Sequence, residues 1–343
     1  MKSLRIRTSC AAVGALGLAF FIFAGAAGDA FGQAMRGLSG QMHGAGPDHA
    51  GGCPPGPFGD HWVHFQNNGY TDSYDSRVGT WAGKGQEKLV TAGCNCNGSS
   101  PGISLDNNAI IYGNASVTTA EADGHIVQQN NSVIWDHDEK SPPDPLKYGS
   151  PRFELHPISL PSWWTAPGDN KIHGTYGSKN GCYEITGNSF QAYNNAAVTF
   201  DAGEYHFQGL ELRNNSKITI NAPSDEPVTI YVTGTIVLEN NSQMLPKIEF
   251  AGDATKLRFL INGTATVDLS NNVSFYGLIY APNARIEIRN NDRIYGNLVG
   301  KEVYIWNNAA LHYDRALGEM DFGDLFGAPI PPPETTNWHE IIK

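Results

Sequence analysis

A pair of acidic residues is the first candidate for chemistry in this sequence. Asp268 and Glu287 hold the same position in two successive copies of a repeated phrase, three residues before an Asn-Asn dipeptide. Neighbouring parallel strands lie about 4.8 Å apart, so the two carboxylates are predicted to approach the roughly 5 Å separation of a retaining glycosidase pair. Arg289 would then hold the charge of an acidic sugar. The favoured alternative is an exposed row of charges, which Arg285 and Arg289 balance.

Aromatic residues recur five positions after the first Asn of the phrase. Tyr276, Tyr295 and His312 belong to consecutive copies and are predicted to form an outward-facing stack. Such a ladder stabilises a flat sheet by packing across strands, and it also offers a surface for the apolar face of a sugar ring. The structural role is favoured, and Tyr276, Tyr295 and Arg289 are the candidate binding residues.

The run His312-Tyr313-Asp314 suggests a hydrolase, but neighbouring residues of a strand point to opposite faces and no nucleophile follows nearby. The sequence has no Gly-x-Ser-x-Gly elbow, P-loop, dinucleotide fingerprint or His-Glu-x-x-His motif. We therefore assign no catalytic residue, cofactor or metal, and we predict a terminal capping role for this run.

The phrase that positions these residues reads as a short strand, an Asn-Asn corner and a second short strand. Three positions, four and two residues before the first Asn and four after it, are apolar in nearly every copy, so they share one face. Close copies are 17 to 20 residues apart, the length of one coil with three short strands. Copies surround Asn107-Asn108, Asn130-Asn131, Asn194-Asn195, Asn214-Asn215, Asn240-Asn241, Asn271-Asn272, Asn290-Asn291 and Asn307-Asn308.

This pattern predicts an all-β protein, a right-handed parallel β-helix with Asn-Asn corners. Asn tolerates the left-handed backbone conformation that a sharp corner requires. Stacked Asn side chains are also expected to hydrogen-bond along the axis of the coils.

The N-terminus is typical of a targeting segment. Residues 1–34 are predicted to be a signal peptide, because Lys2, Arg5 and Arg7 precede an apolar run and small residues follow it. An uncleaved membrane anchor is the alternative, since the run is close to the minimum spanning length of about 18 residues. The other predicted segments are a Gly/Pro/His-rich linker at 35–60, an N-terminal cap at 61–100, a β-helix at 101–317 with a loop insertion at about 141–180, and a C-terminal tail or cap at 318–343.

The positions of the cysteines favour structural disulfides over a metal site, and those of the histidines favour solvated side chains over metal ligands. The cysteines left after signal removal are Cys53, Cys94, Cys96 and Cys182. An even number in an exported chain permits two disulfides, with three possible pairings. Half of a metal site at Cys94-Asn95-Cys96 is the disfavoured alternative. Four histidines near the linker follow no fixed spacing and are predicted to be solvated: His43, His49, His61 and His64.

The overall charge limits the partners. With 23 Lys and Arg against 34 Asp and Glu, the formal net charge is -11 at pH 7. This balance argues against binding to nucleic acid and to anionic membrane surfaces.

Several motifs resemble an uncharacterised family of exported bacterial β-helix proteins, whose members are often linked to N-termini of the PilX or Tad pilus-assembly type. The similarity covers roughly residues 70–343 and rests on four motifs: Thr71-Asp72-Ser73-Tyr74-Asp75-Ser76, Tyr280-Ala281-Pro282-Asn283, His312-Tyr313-Asp314-x-x-Leu317 and Trp338-x-Glu340. The resemblance implies the β-helix fold and carries no established activity.

The functional prediction is an exported, non-catalytic protein with a structural, adhesin-like or surface-binding role in the cell envelope. Its expected partners are polysaccharide or components of the envelope or a pilus, and its expected location is the periplasm, the cell surface or the medium. The alternatives are a polysaccharide lyase or glycoside hydrolase that uses Asp268 and Glu287, and a self-assembling scaffold.

Overall fold

The structure is a computed structural model that describes residues 53–96, 101–118, 122–135, 147–160, 172–174, 181–223, 225–320, 322 and 325. The predicted signal peptide and most of the predicted linker, loop insertion and tail lie outside these residues. Within the described residues no helix has the length and apolarity needed to cross a membrane.

Strands dominate the described part of the chain. In order they are β1 (Phe58–Gln66), β2 (Tyr70–Tyr74), β3 (Val90–Cys94), β4 (Ile103–Leu105), β5 (Ile110–Val117), β6 (Ile126–Gln128), β7 (Val133–Trp135), β8 (Lys147–Gly149), β9 (Ile172–Gly174), β10 (Tyr183–Thr186), β11 (Ser189–Ala192), β12 (Ala197–Asp201), β13 (Gly203–Phe207), β14 (Gly209–Leu212), β15 (Lys217–Asn221), β16 (Val228–Val232), β17 (Ile236–Glu239), β18 (Gln243–Pro246), β19 (Leu257–Ile261), β20 (Val267–Ser270), β21 (Ser274–Arg289), β22 (Arg293–Trp306) and β23 (Ala310–Asp314). The helical segments are short: α1 (Ala122–His125) and the 3-10 turns Ile248–Phe250, Ala254–Lys256 and Arg315–Glu319.

The Asn-Asn dipeptides form the corners between strands. Both residues of every dipeptide have a positive φ, which lies in the left-handed region that Asn visits more readily than most residues. A ninth dipeptide, Asn67-Asn68, has the same conformation and was missing from the predicted copies. The predicted role of Asn at the corners is confirmed.

The corner side chains form a continuous ladder of hydrogen bonds. In each step the Nδ2 group of one Asn donates to Oδ1 of the Asn on the adjacent strand, at 2.9 to 3.4 Å. The ladder runs through Asn107, Asn67, Asn307, Asn290, Asn271, Asn240, Asn214 and Asn194. This confirms the predicted stacking of Asn side chains.

The strands associate in three parallel columns. The first column, before the Asn corners, runs β11–β14–β17–β20–β21–β22–β1–β4–β6. The second, after the corners, runs β12–β15–β18–β21–β22–β23–β2–β5–β7. The third runs β13–β16–β19–β21–β22–β1–β3–β5–β8. The all-β class and the parallel pairing of the repeats are confirmed.

The N-terminal strands lie inside the columns. β1 pairs with β22 on one side and with β3 and β4 on the other, and β2 pairs with β23 and β5. The interpretation of residues 61–100 as a cap therefore needs correction, because a cap would be paired on one side only. The predicted linker also ends too late: Cys53 and Phe58 are already buried, and β1 begins at Phe58.

The core follows the predicted apolar positions. Leu269, Ile288 and Ile305 are fully buried neighbours in the first column, and Phe65 of β1 continues their row. A second apolar cluster lies outside the third column, where part of the predicted loop insertion packs against Tyr280. The Tyr280 hydroxyl donates to the His156 carbonyl oxygen at 2.6 Å, so this segment is fastened to the sheet.

Candidate functional site

The outward-pointing residues of the first column form one surface, which we call the outer face. Side chains alternate between core and surface along each strand, so paired strands align their outward residues in rows. One row contains Gln191, Glu211, Val237, Asp268, Glu287, Tyr304 and His64. At about 4.8 Å per strand, this row extends for roughly 29 Å.

The predicted acidic pair lies in the middle of the outer face. Asp268 and Glu287 stand opposite each other in the strand register. Arg289 contacts Asp268 at 2.8 Å and Glu287 at 3.9 Å, while Arg285 contacts Glu287 at 3.3 Å and Glu302 at 2.7 Å. Both carboxylates thus belong to a network of ion pairs, which is the arrangement that the structural alternative predicted.

An aromatic patch adjoins this network. We define it as Trp62, His64 and Tyr304, contributed by β1 and β22. The Trp62 and His64 rings stack at a centroid distance of 5.3 Å, and Tyr304 meets them at 5.5 and 5.6 Å. The Arg285 guanidinium lies 4.5 Å from the Tyr304 ring centre, which is a cation–π contact. All three side chains are half-buried, so part of the ring surface is exposed on the outer face.

His64 is packed, not solvated as predicted. Burial lowers its pKa below the ordinary value, and the nearby Asp106 carboxylate only partly offsets this effect. His61 is mostly exposed and lies 3.4 Å from Asp60. Within the described residues no group of three or more His, Cys, Asp or Glu could hold a metal ion. His43 and His49 lie outside those residues.

A shallow pocket lies at the other end of the outer face. Its volume is about 220 Å³, and it lies over β11, β14 and β17. Gln191 donates to Glu211 at 3.2 Å, and Arg213 pairs with Glu211 and, at 2.7 Å, with Glu239. Arg213 is therefore neutralised by carboxylates, as Arg289 is near Asp268.

The predicted aromatic stack forms on the second column. Tyr276 and Tyr295 stack at 4.2 Å with an interplanar angle of 11°, and Tyr295 and His312 stack at 4.8 Å. Trp81 covers the end of the stack, 4.1 Å from the His312 ring, and His312 is fully buried. Since Tyr276 and Tyr295 follow the Asn corners whereas Asp268, Glu287 and Arg289 precede them, the structure assigns the candidate site residues to two different faces.

His312 has a buried partner that the sequence did not reveal. Its Nδ1 atom lies 2.6 Å from Asp72 Oδ1, and Asp72 is also fully buried. The second oxygen of Asp72 accepts the Gly85 backbone N–H at 2.7 Å. Burial lowers the His312 pKa in spite of this carboxylate. The available signal was the motif Thr71-Asp72-Ser73-Tyr74, which pairs with the His312 strand.

Asp314 fastens loops at the end of β23. Its carboxylate accepts the backbone N–H groups of Ser76 at 3.0 Å, Ala254 at 3.2 Å and Ala316 at 3.1 Å. Asp314 therefore caps the 3-10 turn Arg315–Glu319 and joins three segments. The capping role predicted for this run is local, because β23 pairs with strands on both sides.

Comparison with known proteins gives a match to a family model. The model of a family described as a domain of unknown function (DUF7305) matches residues 208–320. This region holds the acidic pair and the Tyr276–Tyr295–His312 stack, whereas Trp62 and His64 lie before it. No curated protein and no solved structure matches the chain.

Proposed function

We propose that this chain is an exported, non-catalytic, right-handed parallel β-helix whose outer face binds a neutral polysaccharide of the cell envelope. The aromatic patch beside the ion-paired row is the observation that carries this proposal. The three parallel columns and the Asn corners support the β-helix, in which each coil would add one strand to each column. A link to pilus assembly remains part of the proposal through the family resemblance alone.

The chemistry of the face favours stacking over ionic capture. Trp62 and Tyr304 combine an apolar ring with a polar edge, the type of side chain that is enriched at binding surfaces. A sugar ring has an apolar face that packs on such rings and hydroxyl groups that bond to neighbouring carboxylates. The long row would hold successive sugars, since the strands repeat at a constant spacing.

Charge complementarity selects the kind of polysaccharide. Three arginines of the outer face each lie within 2.8 Å of a carboxylate, so their positive charge is neutralised within the protein: Arg213, Arg285 and Arg289. The net charge of the chain is -11, which repels acidic polymers at long range. A neutral polysaccharide avoids both costs.

Binding is tested by retention of the pure protein on immobilised neutral and acidic polysaccharides. We expect retention on at least one neutral polymer, and a loss of about tenfold in affinity for Trp62→Ala and Tyr304→Ala, which equals about 1.4 kcal/mol. Tyr276→Ala is the matched control, because it removes a ring from the other face and should bind normally. Retention that depends on Tyr276 and not on Trp62 would contradict the proposal.

The same samples test the enzyme and scaffold alternatives. Asp268 and Glu287 lie at paired positions of neighbouring strands, and this observation favours testing for a glycoside hydrolase or lyase. We expect no bond cleavage. Cleavage that Asp268→Asn and Glu287→Gln abolish without loss of folding would replace a binding function by an enzymatic one. Filaments that form with increasing protein concentration would favour the scaffold.

A further inference from the structure

Two cysteines at the end of β3 lie side by side. Cys94 and Cys96 are two residues apart in an extended segment, so both side chains point to the same face, into the core. The Cys96 backbone N–H donates to Cys94 Sγ at 3.1 Å, and the two thiols hydrogen-bond to each other. A Cβ atom on Gly102 would collide with Cys96 Sγ and crowd Cys94 Sγ, so the glycine makes room for the pair.

The residue between the cysteines fixes their geometry. Asn95 points the opposite way and is buried. Its Nδ2 group donates to Asp60 Oδ1 at 3.0 Å and to the Phe153 carbonyl oxygen at 2.6 Å, and its Oδ1 accepts the Phe153 N–H at 2.9 Å. These bonds hold the segment in the conformation that brings the two sulfur atoms together.

We propose that Cys94 and Cys96 are a dithiol site that exchanges with disulfide substrates and closes to a Cys94–Cys96 disulfide. The Cys96 thiolate attacks one sulfur of the substrate disulfide, forms a mixed disulfide and expels the other half as a thiol. Cys94 then attacks Cys96 Sγ, and the second half of the substrate leaves as a thiol. Two protein thiols are oxidised, one disulfide is reduced, and the two protons pass to the released thiols.

The two sulfur atoms have different roles. The hydrogen bond from Cys94 and the nearby His125 lower the Cys96 pKa below its ordinary value, although burial opposes them. The adjacent Cys96 sulfur and burial raise the Cys94 pKa. Cys96 is also the more exposed of the two, at 6% against 1%. Cys96 is therefore the attacking thiol and Cys94 the resolving thiol.

Cys53 is the internal comparison. It lies in the other apolar cluster, and burial raises its pKa to about 12, with only partial compensation by the Asn297 side chain. A thiol of this kind is inert toward disulfides at neutral pH. Exchange at Cys94 and Cys96 therefore differs from general oxidation of the chain.

Peptide mapping of the full chain tests the site. The reduced protein is equilibrated with mixtures of reduced and oxidised glutathione, quenched, alkylated after denaturation and digested with trypsin. Residues 89–140 form one tryptic peptide with these two cysteines and no other. We expect this peptide to lose the mass of two hydrogen atoms and to resist alkylation, while Cys53 is alkylated. Two alkylated thiols in the most oxidising mixture, or a link to another cysteine, would overturn the proposal.

Single variants assign the roles. In Cys94→Ser the remaining Cys96 should gain one glutathionyl group and keep it. In Cys96→Ser the remaining Cys94 should be glutathionylated at a rate at least roughly tenfold lower. Cys53→Ser should behave as wild type. Equal rates for the two single variants would remove the assigned order of attack. The wild-type peptide result still decides the proposal if a variant fails to fold.

Discussion

Asp292 gives the protein a pH dependence that one substitution should remove. This residue is fully buried at the corner after Asn290-Asn291, and its carboxylate accepts the backbone N–H groups of Val273 at 2.8 Å and Arg289 at 3.0 Å. Burial raises the Asp292 pKa to about 7, while these two hydrogen bonds and the charge of Arg289 oppose the rise. The Asp268 carboxylate contributes a smaller increase.

The sign and size of the effect follow from linkage. The folded state binds the Asp292 proton more tightly than the unfolded chain, whose ordinary pKa is 3.8. The stabilising contribution is therefore complete below pH 3.8 and is lost as the pH rises to about 7. A pKa difference of about three pH units corresponds to about 4 kcal/mol, at about 1.4 kcal/mol per unit.

Urea unfolding between pH 4 and pH 8 measures this effect as a difference between variants. Asn in Asp292→Asn cannot ionise, so the free energy of unfolding of wild type should fall relative to this variant by up to about 4 kcal/mol across the range. Asp292→Ser is the matched control, because Ser216 and Ser242 occupy the equivalent corner position in other repeats. A difference that stays constant with pH would refute the assigned ionisation, whatever its size.

Three further predictions concern the core, the corners and the N-terminus. Ile288→Asp places an unpaired charge in the column of Leu269 and Ile305, so it should lower the free energy of unfolding by several kcal/mol. A normal melting temperature would contradict the assigned register. Asn271→Ala should lower the free energy of unfolding through the loss of its ladder hydrogen bonds and by about 1–2 kcal/mol more, the cost of the left-handed conformation for Ala. Asn271→Gly should lose only the contribution of the hydrogen bonds. Equal losses of stability for the two variants in urea unfolding would exclude strain at the corner. N-terminal sequencing of protein from the native host should begin near Met35, and a retained Met1 in a membrane fraction would favour the anchor.

The repeats could be predicted from the sequence because Asn meets the local conformational requirement of each corner. Asn suits the left-handed corner, and apolar residues at fixed distances from it mark the inward face, as at Leu269 and Ile288. These are short-range rules, and each copy states them independently. For that reason the parallel pairing and the Asn ladder were predictable without the structure.

The pairing of the N-terminal strands with distant strands could not be predicted from the sequence. Asn67-Asn68 departs from the repeat pattern because Thr71 stands where the other copies have an apolar residue. The pairing of β1 with β22 joins residues some 240 positions apart, and no local pattern encodes it. The aromatic patch depends on that pairing, and the Asp72–His312 contact depends on the equally distant pairing of β2 with β23. The site could therefore be predicted only in its acidic half.

Hydroxyl-radical footprinting with a retained neutral polysaccharide tests the central claim most directly. Side-chain oxidation at each aromatic residue reports its exposure, with and without the polymer. We predict that the polymer protects Trp62 and Tyr304 on the outer face and leaves the oxidation of Tyr276 and Tyr295 unchanged. Protection of Tyr276 and Tyr295, with Trp62 and Tyr304 as exposed as in the free protein, would contradict the account.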